Sequence, residues 1–271
     1  MEHTWQLTGL EYLVLRERLL GRPNSWPFRT VTTIESAWDY QFVKARIWGE
    51  LRAKWDAELA EVLTASMDPD IRLIAQVFGA RGNNATRDLL MAKRFGDRAV
   101  VIQGFNPTSL YSHDHFDITL CDAAAMSRVL VDRLPPMTPG SQPRVELLSY
   151  DKEETVDHWT HGKSGFYDDG DTVDARSRYW QAAPKSRVGS IQITPGQSRF
   201  GPRGKVTKHI FWEEHRGDGC YVVDLGPPIA AVAADGERLR ADIDAQCAEL
   251  LIVRQDESRQ GTARESVYDE W

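Results

Sequence analysis

One order of segments occurs twice in this chain. Three short alternating strands, a loop, a fourth apolar strand and an Asp-led amphipathic helix run from Ile71 to Leu134, and a similar order runs from Val188 to Leu251. The span from first strand to helix start, Ile71 to Asp122, is matched within a few residues by Val188 to Asp235. Such a repeat restricts the fold, because each copy must bury the apolar face of its strands under its own helix. The expected scaffold is therefore a duplicated sheet, mixed or antiparallel, with flanking helices. Neither copy carries a catalytic signature, which points to a protein that binds before it points to one that catalyses.

The segments outside the repeat also read locally. Trp5 and Leu7 precede Thr8-Gly-Leu-Glu11, a capping box that starts a helix, and Gly21 with Pro23 stops it. Arg29 to Ile34 is rich in β-branched residues and reads as a strand. From Glu35 the spacing of Trp38, Phe42, Ala45, Trp48, Leu51, Trp55, Leu59 and Val62 predicts one buried helical face. Three tryptophans on one stripe also fit an aromatic ligand box, but core packing is the ordinary use of such a stripe.

Inside the first copy, Ile71, Leu73, Ala75 and Val77 share one strand face, with Arg72 and Gln76 on the other. Strands Leu89–Phe95 and Ala99–Phe105 flank a Gly96-Asp-Arg turn, Phe116–Leu120 is a fourth strand, and Asp122 caps a helix bearing Met126, Val129 and Leu130. The Pro/Gly-rich stretch from Pro135 to Pro143 reads as a linker dividing the chain into halves, 1–143 and 144–271. Beyond it, Val145 to Tyr179 is polar, with Asp168, Asp169, Asp171 and Asp174, and reads weakly as helix. In the second copy Val188–Thr194 is a strand. Val206, Ile210 and Trp212 then alternate with Lys205, Thr207 and His209. Gly217-Asp-Gly219 turns into Cys220–Val223, Ile229–Ala233 follows, and Asp235 starts a helix bearing Leu239, Ile243, Leu250 and Leu251. From about 255 a polar, loose tail is expected.

Composition narrows the function classes. A net charge of −7, with basic residues only in short groups such as Arg199, Arg203, Lys205 and Lys208, argues against nucleic acid. No apolar run approaches a membrane span and the start lacks a signal-peptide order, so a cytoplasmic protein without membrane insertion is expected. Cys121, Cys220 and Cys247 are far apart and read as buried reduced thiols. His113, His115 and Asp117 would project to one side of a strand and could hold a zinc ion for a metal-assisted hydrolase. Against that, the segment looks like a loop entering a strand and has no fourth ligand near it. His158-x-x-His161 lacks the glutamate of HExxH, and the chain has no P-loop, GxGxxG after a strand or GxSxG. No cofactor is implied and no catalytic residue is named.

With these segments in place the chain resembles the EspG family, cytosolic chaperones of actinobacterial type VII (ESX) secretion. The resemblance rests on Leu7-Thr-Gly-Leu-Glu11, on Pro27-Phe28 with Thr32 and Glu35 before the long helix, and on the strand run to Phe105 followed by Asp122-Ala and Val131-Asp-Arg-Leu-Pro135. It is better still over Arg199 to Gly204, Trp212, Asp218-Gly-x-Tyr221 and the Asp235 helix. It implies an α/β (α+β) fold with a central, largely antiparallel sheet from two quasi-repeated halves flanked by helices. It also implies a partner, the PE–PPE heterodimer, held through the apolar tip of its PPE subunit so that the tip stays soluble before export. The contact is expected on the second-half sheet and closing helix, at Phe211, Trp212, Tyr221, Ile229, Val232 and Leu239, with a rim contact from the turn Arg81 to Thr86. The chain itself is expected to be a monomer or homodimer.

Overall fold

The computed structural model of the chain describes residues 2–22, 26–79, 87–105, 112–142, 144–148, 173–196 and 206–268. In chain order these form β1 (His3–Thr8), α1 (Gly9–Leu20), α2 (Ala37–Ala53), α3 (Ala57–Ala65), β2 (Ile71–Gly79), β3 (Arg87–Phe95), β4 (Arg98–Phe105) and β5 (His115–Asp122). A 3-10 turn (Ala123–Ala125) leads into α4 (Met126–Val131). There follow β6 (Val145–Glu146), α5 (Val173–Ala182), β7 (Lys185–Pro195), β8 (Lys208–His215), β9 (Cys220–Asp224), β10 (Ala230–Ala233) and α6 (Gly236–Tyr268). The strands join in one ten-stranded sheet of order β1-β5-β4-β3-β2-β7-β8-β9-β10-β6, and every neighbouring pair is antiparallel. Outward from the centre each half runs through its four repeat strands in sequence and ends on a strand from before the repeat, β1 or β6. The halves meet where β2 pairs with β7, from Ile71 opposite Pro195 to Gly79 opposite Arg187.

Alternation along the strands sorts side chains onto two faces. One face carries Ile71, Leu73, Ala75 and Val77 of β2, Ile191 and Ile193 of β7, and Ile210 and Trp212 of β8. It is closed by α4 and α6 through Met126, Leu130, Leu239, Ile243 and Leu250. Asp235 caps α6 by accepting the Arg238 N–H at 2.8 Å. On the opposite face the first half is covered by α1 and α3, whose Tyr12, Leu15, Val62 and Leu63 pack on Ile74, Met91, Ile102 and Phe116. The capping box of α1 is present. Thr8 Oγ1 accepts from Glu11 N–H at 3.2 Å, Glu11 Oε2 accepts from Thr8 N–H at 2.7 Å, and Gly21 closes the helix with φ 64°. The Cys121, Cys220 and Cys247 thiols are free and buried, and burial pushes Cys121 up to about 11 and Cys247 to about 12.

Several expectations change. Arg29 to Ile34 is not a strand; its backbone runs beside residues 112 and 113, where Arg29 carbonyl takes His113 N–H at 2.8 Å and Ser112 Oγ takes Val31 N–H at 3.0 Å. The long helix from Glu35 is two helices. Asp56 leaves helical geometry and accepts the N–H groups of Glu58 and Leu59, while Trp5 Nε1–H donates to its other oxygen at 2.7 Å. These bonds hold the Asp56 carboxyl below its ordinary range. Asp122 makes no side-chain cap bond, because the 3-10 turn intervenes before α4. The linker stretch from Pro135 is anchored to the second half: Thr138 carbonyl takes Cys220 N–H, and Asp218 accepts from both Ser141 N–H and Ser141 Oγ–H. The chain is not loose after 255. Free of proline, and with two residues each of Glu, Arg and Gln between Gln255 and Tyr268, it continues α6 to Tyr268. Arg81 to Thr86, His158, His161, Asp168, Asp169, Asp171, Arg199, Arg203 and Lys205 lie outside the described residues.

Lys93 and Arg72 stand directly opposite each other on β3 and β2, on the face that α1 and α3 cover. Like charges in that position repel. Lys93 is 7% exposed, and burial, with repulsion from Arg16 and Arg72, brings its ammonium down to about 8 from 10.5. The unfolded chain keeps that proton up to about pH 10.5 and the folded one releases it near 8, so stability rises with pH through that window. The cost relieved is on the order of 3 kcal/mol. Chemical denaturation at about pH 7 and about pH 9.5 is expected to show about 2 kcal/mol of this gain in the wild type. Lys93→Met is expected to be more stable at the lower pH and to lose this part of the slope.

Candidate functional site

The two faces of the sheet are not covered alike. On the second face α1 and α3 end over the first half, and α5 reaches only the far edge, where Trp180 packs on Val145, Tyr221 and Ala231. Among the described residues, no helix covers β2, β7 and β8 between these. Phe78 and Val188 are cross-strand partners there, 40% and 36% exposed, and Phe211 on β8 is 39% exposed, diagonal to Val188. His209 stacks parallel to Phe211 with ring centroids 5.8 Å apart. Gln76, Ser190 and Gln192 fill the same band with half-buried polar groups. An apolar floor with polar groups at measured intervals is the form of a surface built to be covered.

Charged and aromatic groups border the band. On the α5 side Lys185 Nζ pairs with Glu213 at 2.7 Å and lies 5.5 Å from the centre of the Trp180 ring. A cleft of about 580 Å³ opens beyond it, lined by Tyr179, Trp180, His215, Arg216 and Asp218. Burial opposes the charge of Asp218, but hydrogen bonds from Ser141 and Tyr221 win and hold its carboxyl below the ordinary range. On the first-half side the Arg72 guanidinium stands 6.0 Å over the Trp26 ring, which is itself exposed.

The six second-half residues expected from the sequence do not form one site. Trp212 and Leu239 lie on the opposite, α6-covered face, both buried, and Val232 is half-buried on that face through its pairing with Val222. Tyr221 is buried under α5 and donates its hydroxyl to Asp218. Of the six, Phe211 and Ile229 alone are exposed, Ile229 just before β10 with its carbonyl taking Leu147 N–H. Trp212 explains Gly189, since the indole occupies the space a Cβ at Gly189 would need. Phe78 and Val188, which the sequence reading did not single out, complete the exposed band with Phe211. Their signal was an apolar residue on the outward parity of a strand whose other parity already supplied the core.

The metal triad does not converge. His113 precedes β5 and is buried against Phe28 and Phe116, its ring bonded to Arg29 carbonyl at 3.0 Å. His115 and Asp117 alternate with the buried Phe116 and Ile118 and so belong to the other face, where His115 stacks on Phe105 at 4.5 Å. Among the described residues no group of three His, Cys, Asp or Glu side chains could hold a metal ion.

Comparison with known proteins gives one family and one fold. The model of the EspG family matches residues 8–245. The solved Mycobacterium tuberculosis type VII secretion system chaperone EspG5, in complex with a PE25-PPE41 dimer, has a similar fold at 11% identity. It covers 88% of this chain and 94% of that one with a TM-score of 0.50. No curated protein sequence matches.

Burial separates floor from core by a measurement. Trp212→Ala is expected to cost about 3–5 kcal/mol of unfolding free energy, whereas Phe211→Ala is expected to cost less than about 1 kcal/mol. Denaturant titration of the two variants checks the assignment.

Proposed function

This chain belongs to the EspG family, and we propose that it is a cytoplasmic chaperone of type VII secretion that holds a PE–PPE heterodimer through the apolar tip of the PPE subunit. The open band of Phe78, Val188 and Phe211 carries the reading. In a water-filled compartment a helical apolar tip would self-associate, and covering it removes apolar area from water at roughly 25 cal/mol per Å². The band offers a floor for such a tip. Gln76, Ser190 and Gln192 can meet its exposed backbone or polar side chains, and His209 and the Lys185–Glu213 pair lie where a rim would choose among clients. A related fold is seen with a PE25-PPE41 dimer in the EspG5 complex, which supports the class of partner. Among the described residues no helix is long and apolar enough to cross a membrane. The reading assigns the chain no reaction and no cofactor.

Co-expression with candidate PE–PPE pairs, followed by co-purification, tests it. The wild type is expected to recover a pair through PPE. Phe211→Asp and Val188→Lys are expected to weaken capture by more than about tenfold with thermal unfolding unchanged. Recovery of no pair, or capture undiminished in both variants, would refute the assignment.

A further inference from the structure

The helix α2 presents two strongly exposed aromatic residues on one face, Trp38 at 82% and Phe42 at 70%. Its inner face is fixed to α1 through Ile47, Val43 and Leu51, and Lys44 Nζ holds both Glu17 oxygens at 2.9 and 3.0 Å. The outer face is therefore held outward. At 100° per residue Trp38, Phe42, Ala45 and Gly49 fall within a sector of about 60°, and all four are exposed. Large side chains occupy its N-terminal half and small ones its C-terminal half. A Cβ added at Gly49 would meet nothing within 4 Å, so the small end is an open slot.

We infer that this face pairs with the same face of a second copy of the chain, the two α2 helices antiparallel about a two-fold axis. Antiparallel pairing sets Trp38 over the partner's Gly49 and Phe42 over the partner's Ala45, large onto small at every contact. Charge follows the same symmetry. Asp39 and Arg46 lie on one flank of the stripe, and the two-fold axis brings each beside its opposite on the other copy. Arg46 is available for this, since its contact with Glu50 in its own chain is 3.8 Å long and exposed. Four aromatic side chains of about 150–250 Å² each supply a large part of the roughly 1,200–2,000 Å² that a specific interface buries. The pairing is separate from the client band, so it neither needs nor excludes the proposed function.

Sedimentation of the full chain alone, over a range of concentrations, is expected to show a monomer–dimer equilibrium. Trp38→Ser is expected to weaken it by more than about tenfold. Gly49→Leu is expected to block it without lowering the thermal midpoint, since the monomer has room for the side chain. Asp39→Arg and Arg46→Asp are each expected to weaken it, and the double variant to restore it. A wild type that stays monomeric, a dimer indifferent to Trp38→Ser and Gly49→Leu, or loss of PE–PPE capture in these variants with self-association unchanged would each overturn the inference.

Discussion

The antiparallel pairing of β2 with β7 is the contact on which the architecture depends. It converts two five-stranded units into one sheet, and it does so between the first strand of each repeat, so both units grow outward from a common seam. The two strands lie more than a hundred residues apart in sequence, so the pairing closes a long loop and gains its stability from what it buries. Ile71, Leu73, Ala75 and Val77 meet Ile191 and Ile193 across it under α6. Residues of α6 thus reach β2 as well as β7 and β8, and the last helix of the second unit locks the first.

The exposed band arises because the units share a strand order but not their covering. Among the described residues the first carries α1, α2 and α3 on the second face, and the second carries α5 near its edge. The difference leaves β2, β7 and β8 as a floor between two helical walls. The same asymmetry exposes α2, since α1 already fills the space next to the sheet and α2 can only pack on its outside.

Strands, hairpins and caps were legible because their signals are local. The turn at Gly96 has the positive φ its glycine suggested, and Thr8 with Glu11 formed the expected box. Periodicity also placed Met126, Leu239, Ile243 and Leu250 correctly. It failed at Trp38 and Phe42 for a physical reason: a stripe shows that a face is apolar, not what covers it. It failed again at Trp55-Asp56, where one carboxylate ends the continuity that spacing implied. Phe211 and Trp212 were grouped as sequence neighbours, but the two point to opposite sides of the sheet. Which side stays open depends on helices elsewhere in the chain, and no local pattern encodes that.

An unbranched seam between equivalent strands is also what two separate half-length polypeptides would form on associating. Fusion makes such a joint permanent and releases each half from having to remain identical to its twin. One half could then acquire an extra helical coat while the other stayed bare, a divergence closed to an assembly of identical subunits. The bare strip beside the seam reads as the product of that broken symmetry.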